Sequence, residues 1–138
     1  MSAADGSVGV RAGPRAWHPG PVNALDELIP DWLALPDVAL HLDVEVSRVR
    51  RLVDEGELIA VRRGDPVVRM IPAALLTEDG IAPHLRGTIT ILRDGGFDDV
   101  ELLTWLFTED DSLPGRPIDQ LRIGQRGEVR RRAQALAF

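Results

Sequence analysis

The side chains of this sequence best equipped for chemistry are its arginines. All 16 basic residues are arginine and none is lysine. Arg48, Arg50 and Arg51 follow Ser47 in one short run. Arg62, Arg63 and Arg69 surround Gly64-Asp65-Pro66 in another. A guanidinium is a planar fork of fixed donors. It grips a phosphate, or the edge of a guanine, through two hydrogen bonds. Such groups bind rather than transform, although a biased genomic composition is an equally good account of the missing lysine. Other chemistries lack their reagents. Without cysteine there is no disulfide scaffold, thiolate zinc site or cysteine nucleophile. Without lysine there is no phosphate loop of the glycine-rich, Lys-Ser/Thr type. His18, His41 and His84 have no metal-ligand spacing, and His41 reads most simply as a surface or boundary residue. Glu109, Asp110 and Asp111 invite a metal or acid–base reading, but nothing else in the sequence joins them, and a solvated acidic turn explains them. Aromatic residues make up 4% with no tyrosine, a poor basis for stacking single-stranded bases. No enzyme, metal site or cofactor is expected.

The elements that must position the two arginine groups are legible from Leu35 to Arg69. Pro36 suits the first position of a helix, where its missing N–H is not needed, and Asp37 adds a favourable charge there. Val38, Ala39 and Leu42 supply the apolar stripe. Asp43 stands at a sharp turn, where it tolerates a left-handed conformation better than most residues do. Val44 is expected to point inward and plug the turn. A second helix spans about 45–55, with Val49, Leu52 and Val53 inward and Ser47, Arg48, Arg50 and Arg51 on other faces. Gly56 sits where a left-handed helix stop belongs. Leu58–Arg63 and Val67–Ile71 then read as a hairpin around Gly64-Asp65, and Pro72–Leu76 as a closing helical turn. Helix, turn, helix and hairpin form the pattern of a winged helix-turn-helix. It predicts that the second helix enters the major groove of duplex DNA while the wing holds the backbone. The other reading of Arg48, Arg50 and Arg51 is a solvated face paired with Asp54 and Glu55.

LPDVALHLDVEVSRVRRLVDEGELIAVRRGDPVVRMIP resembles the compact winged helix-turn-helix of excisionase-like and MerR-like DNA-binding domains. The residues carrying the likeness are Val38-Ala39, Leu42–Val44, Val49-Arg50-Arg51-Leu52 and Gly56-Glu57-Leu58. More closely, the chain is similar to a small actinobacterial family of winged-helix DNA-binding proteins. That likeness continues through ILRDGGF, WLFTEDDSL and the arginine-rich last helix, over roughly residues 30–138. It implies a DNA-binding winged module and a C-terminal domain without a settled role. The segment from Trp105 to Leu136 is also similar to the C-terminal domain of Xre/MbcA/ParS-type antitoxins. Trp105-Leu106, Leu113, Gly115-Arg116-Pro117, Leu121, Gly124 and Glu128-Val129 carry that likeness, which implies protein–protein contact.

The remaining chain fits a mainly α protein. Residues 1–22, rich in Gly, Ala, Pro and Ser, read as a disordered tail with Arg11 and Arg15 in it. The winged domain is placed at 23–76, with Trp32 and Leu33 packing on its body, a polar connection at 77–83 and a helical C-terminal domain at 84–138. In that domain Leu85, Ile89 and Leu92 line one helix, Asp98 caps the next and Phe97 staples it. A short helix starts at Pro117, and a last helix runs from Glu128 to Ala137. Arg126, Arg130, Arg131 and Arg132 cluster there, to complement acidic loops, bind phosphates or favour a helix end.

The net charge of −6 argues against nucleic acid, but distribution outweighs the sum. Between residues 36 and 83 six arginines face nine acidic side chains, so DNA affinity should be strongly salt-dependent. No apolar run approaches the roughly 20 residues that cross a bilayer, and the N-terminus lacks the core of a signal peptide. A cytoplasmic regulator of transcription that binds double-stranded DNA is expected. The alternative is a protein-interaction module acting through residues 84–138.

Overall fold

A computed structural model of the chain describes residues 25–137. The tail expected over 1–22 lies outside the described residues. A short helix α1 (Leu25–Leu28) leads into strand β1 (Trp32–Ala34), and α2 (Leu35–Leu42) follows directly. Asp43 adopts φ 60°, ψ 48°, the left-handed conformation expected of it. Its N–H bonds back to Leu40 O, and that of Val44 to Ala39 O, closing the helix. Helix α3 (Val46–Asp54) buries Val49, Leu52 and Val53. It stops at Gly56, φ 77°, whose N–H reaches Val53 O while Glu57 N–H reaches Leu52 O. The same two-bond closure recurs at Gly96 and at Gly124.

Strands β2 (Val61–Arg63) and β3 (Val68–Pro72) form the wing. The hairpin is not alone. Trp32–Ala34 pairs antiparallel with β3, so the sheet has three strands in the order β1-β3-β2. The expectation that Trp32 and Leu33 simply pack on the body understates their part. Their backbone lies in register with Pro72 and Ile71 across the sheet and ties the wing to the entry of α2. Val44, expected as an inward plug, is 38% exposed beside Leu40, itself 81% exposed. The left-handed Asp43 aims the chain back along α2, so Val44 rests against the helix end rather than entering the core.

A 3₁₀ turn at Ala73–Leu75 closes the wing, as the Pro72–Leu76 reading expected. The next stretch, read as a polar connection, contains a second small hairpin, β4 (Leu76–Thr77) with β5 (Gly80–Ile81). Four helices complete the chain: α4 (Leu85–Asp94), α5 (Asp99–Phe107), α6 (Pro117–Arg122) and α7 (Gly127–Ala137). Helix α5 starts with a reciprocal cap: Glu101 N–H donates to Asp98 Oδ1 at 2.8 Å, and Asp98 N–H to Glu101 Oε1 at 2.9 Å. Phe97 before it is buried.

One hydrophobic core runs through both halves. Leu25, Ile29, Val49, Leu58 and Leu75 share it with Leu92, Leu103, Leu106, Ile118 and Val129. Helix α1 packs on α5, and α6 packs on the 3₁₀ turn. Arg122 rivets the junction: its guanidinium donates to the carbonyls of Ala74, at 2.7 Å, and Leu76. Higher up, His41 Nε2 meets Thr77 O at 2.7 Å. No described helix is long and apolar enough to cross a membrane.

Candidate nucleic-acid interface

Helix α3 is strongly two-faced because its apolar residues recur at helical spacing and its other positions are polar. Ser47, Arg48, Arg50 and Arg51 are all exposed, with Val49 fully buried between them. Arg48, Arg50 and Arg51 lie along its middle, between Glu45 at the N-cap and Asp54 with the C-cap Glu55 at the other end. The alternative pairing of these arginines with Asp54 and Glu55 does not form: no ion pair links them.

On the wing, register decides which arginines stand together. Arg62 lies directly opposite Arg69, and Arg63 opposite Val68. Opposed residues in an antiparallel pair share a face, so Arg62 and Arg69 present two like charges side by side. Arg50 from α3 and Arg69 from the wing then line one open groove, with Ala34, Leu35, Pro36, Val46 and Val68 as its remaining walls. Val67 and Val68 expose apolar surface at the wing tip, 63% and 46% respectively.

Arg63 departs from the other six. Its side chain is only 17% exposed, forms an ion pair with Asp26 of α1, and stacks over the Trp32 ring with its guanidinium carbon 4.2 Å from the centroid. It is spent on holding β2 against α1 and β1. Unlike Arg62 and Arg69, it is not a free cation on the wing surface. Sequence reasoning missed this because both partners precede the motif and the strand bearing Trp32 was not foreseen.

Among the described residues, Arg48, Arg50, Arg51, Arg62, Arg69 and Arg130 make neither an ion pair nor a side-chain hydrogen bond. The other described arginines are engaged. Arg86 reaches Glu57 at 3.9 Å and Arg93 reaches Asp99 at 2.7 Å. Arg116 clasps Asp119 with two parallel bonds, Nε at 2.9 Å and Nη2 at 2.7 Å, over the Phe107 ring. That clasp holds the Asp119 carboxyl below its usual range and raises the guanidinium above its own. Arg131 and Arg132 close on Glu128, whose carboxyl is lowered chiefly by its bond from Arg132.

The acidic turn resolves in the same way. Asp110 accepts from the Ser112 hydroxyl and N–H and faces Arg132 at 3.6 Å. Its carboxyl is lowered first by Ser112. Among the described residues no cluster of His, Cys, Asp or Glu is arranged to hold a metal.

Residues 22–76 match a family described as "DNA-binding protein Rv2175c, wHTH domain", and residues 82–137 match "Rv2175c C-terminal domain of unknown function". A curated relative, DNA-binding protein Rv2175c of Mycobacterium tuberculosis, is 44% identical over 117 residues, covering 75% of this chain and 79% of the relative. The NMR structure of Rv2175c superposes with a TM-score of 0.71 at 40% identity, over 78% of this chain and 82% of that one. With four-fifths of the relative covered at that identity, the chain belongs to the Rv2175c family, a winged helix-turn-helix domain followed by a helical C-terminal domain.

Proposed function

We propose that this protein binds double-stranded DNA and acts as a transcriptional regulator in the cytoplasm. Helix α3 would lie in the major groove, with Ser47, Arg48, Arg50 and Arg51 toward bases and phosphates. Arg62 and Arg69 would hold the backbone from the wing, and Arg63 would keep the wing in place from behind. The observation that carries this reading is the groove shared by Arg50 and Arg69, which brings one arginine of each group to the same opening. The DNA-binding character given to the family supports it, and so does the lack of carboxylate partners at the five arginines involved. The excisionase and MerR likeness fits the same docking. Residues 23–76 would be the reading module, 77–83 its connection and 84–138 a helical body behind it, with no catalytic role for either.

Duplexes selected from a random pool at low and physiological salt would test this. Binding should weaken steeply with salt, and Arg50→Ala combined with Arg62→Ala should remove most of it. Selection of no duplex, or unchanged binding by that double variant, would sink the reading.

The second reading, a protein partner on residues 84–138 as the antitoxin likeness implies, rests on one feature. An open groove is lined by Trp105, Pro117 and Leu136 together with Glu109, Asp111 and Arg132, apolar surface beside carboxylates that suits a cationic segment. One stoichiometric protein partner with no duplex shifted at low salt would favour it.

A further inference from the structure

The basic cluster of the last helix divides in two. Arg131 and Arg132 turn toward Glu128 and Asp110 and are neutralised there. Arg126 and Arg130 turn the other way. With His84, Gly87, Thr88 and Ile91 they line a small cleft between the first turns of α4 and α7. No carboxylate among the described residues pairs with either arginine. Arg126 Nη1 lies 3.4 Å from His84 Nδ1. When Nδ1 accepts that bond, the ring hydrogen sits on Nε2 and imidazole becomes a further donor.

The two helices also run parallel. Their first turns meet at this cleft, and at the other end a Cβ on Gly95 would sit 2.4 Å from that of Ala137. Parallel packing brings both partially positive helix ends to one edge. The acidic residue that could offset α7, Glu128, is already held by Arg131 and Arg132.

Gly87 is the independent observation. It is an exposed residue in the first turn of α4, where alanine would be the better helix former. Its backbone is not in the positive-φ region, and nothing stands within 4 Å of the Cβ it lacks. Neither packing nor conformation therefore requires glycine. What it provides is bare backbone in the lining of the cleft, where a ligand can approach closely.

We infer that this cleft binds a phosphoryl-type oxyanion, held by Arg126, Arg130 and His84 over the exposed backbone at Gly87. The site is separate from the α3–wing surface. Its phosphate is either free or a backbone phosphate of bound DNA.

Inorganic phosphate is the probe, added to the full chain while backbone amides are followed by NMR at ionic strength held constant with chloride. Saturable shifts are expected at Gly87, Thr88 and the amides of Arg126–Arg130. Arg126→Gln and Arg130→Gln should each weaken the response about tenfold, the worth of one charged hydrogen bond. Gly87→Leu should abolish it while leaving the melting temperature unchanged or higher, which separates a blocked site from a damaged fold. No saturable response, or an equal one to chloride, overturns the site. Duplex binding then identifies the source. If the double variant R126Q/R130Q lowers the log-salt slope, the phosphate belongs to DNA; if the slope is unchanged, it is free. Because the titration contains no DNA, its failure leaves the α3–wing reading standing, and the reverse also holds.

Discussion

Replacing Arg62 with threonine should make the free protein more stable and the DNA complex weaker. Arg62 and Arg69 oppose each other across β2 and β3, and no carboxylate among the described residues compensates either. Like charges directly opposed on a sheet are destabilising, by about 0.2–1 kcal/mol. Threonine keeps a strand-forming side chain and removes one charge. For a chain of this size that gain corresponds to a rise of roughly 1–4 °C in melting temperature. Arg69→Thr should give a similar rise. The pair should not be additive, because the repulsion vanishes with the first replacement. DNA binding should move the other way. If Arg48, Arg50, Arg51, Arg62 and Arg69 each neutralise one phosphate, the log-salt slope is about −4.5, and affinity falls about 500-fold between 50 and 200 mM salt. Each single variant should bring the slope to about −3.6, and the double variant to about −2.7. Calorimetry of the free proteins and anisotropy titrations over a salt series measure the two effects on the same samples. Arg131→Gln, which removes an arginine already paired with Glu128, is the control and should leave the slope alone. A variant that lowers the melting temperature while leaving the slope unchanged would show that the opposed arginines are structural.

Arg63→Ala should behave oppositely. Losing the stack on Trp32 and the pair with Asp26 should cost about 1–2 kcal/mol in thermal unfolding, with little change in the salt slope at temperatures where the variant is folded. Gly56→Ala forces a side chain into φ 77° against the Arg93 guanidinium and should cost about 1–2 kcal/mol by urea unfolding; a neutral result would mean that the α3 stop can relax. Asp119 has its carboxyl lowered by Arg116. Its contribution is therefore complete above the unfolded carboxylate value, about pH 3.9, and is lost as pH falls through the lower folded value. Asp119→Asn should destabilise at pH 7 and flatten the loss of stability below about pH 4; an acid limb identical to that of the parent would contradict the clasp.

Local backbone chemistry was the readable part of this sequence. Pro36, Asp43, Gly56 and Asp98 each act within a few residues of themselves, so their positions announced helix starts, turns and stops, and with them the winged module. What escaped depends on distant partners. Trp32–Ala34 is too short to show alternation, and its strand partner lies beyond the whole helix-turn-helix. The fate of Arg63 depends on Trp32 and was hidden with it. Leu76–Ile81 looked like a polar link because its hairpin is two residues on each side. The apolar residues of the antitoxin likeness, Trp105, Leu106, Leu113, Leu121 and Val129, are buried, so a shared helical core accounts for that part of the pattern. The groove joining Arg50 to Arg69 depends on strand register, which periodicity alone does not supply.

The two bonds from Arg122 to the carbonyls of Ala74 and Leu76 have a mechanical consequence. They pin the helical body to the root of the wing, where the core also passes from one half to the other. A wing seated on a duplex would therefore fix the heading of α4–α7 as a lever rather than trail it on a tether. Anything that recognised the helical body would meet it at a set angle to the DNA axis.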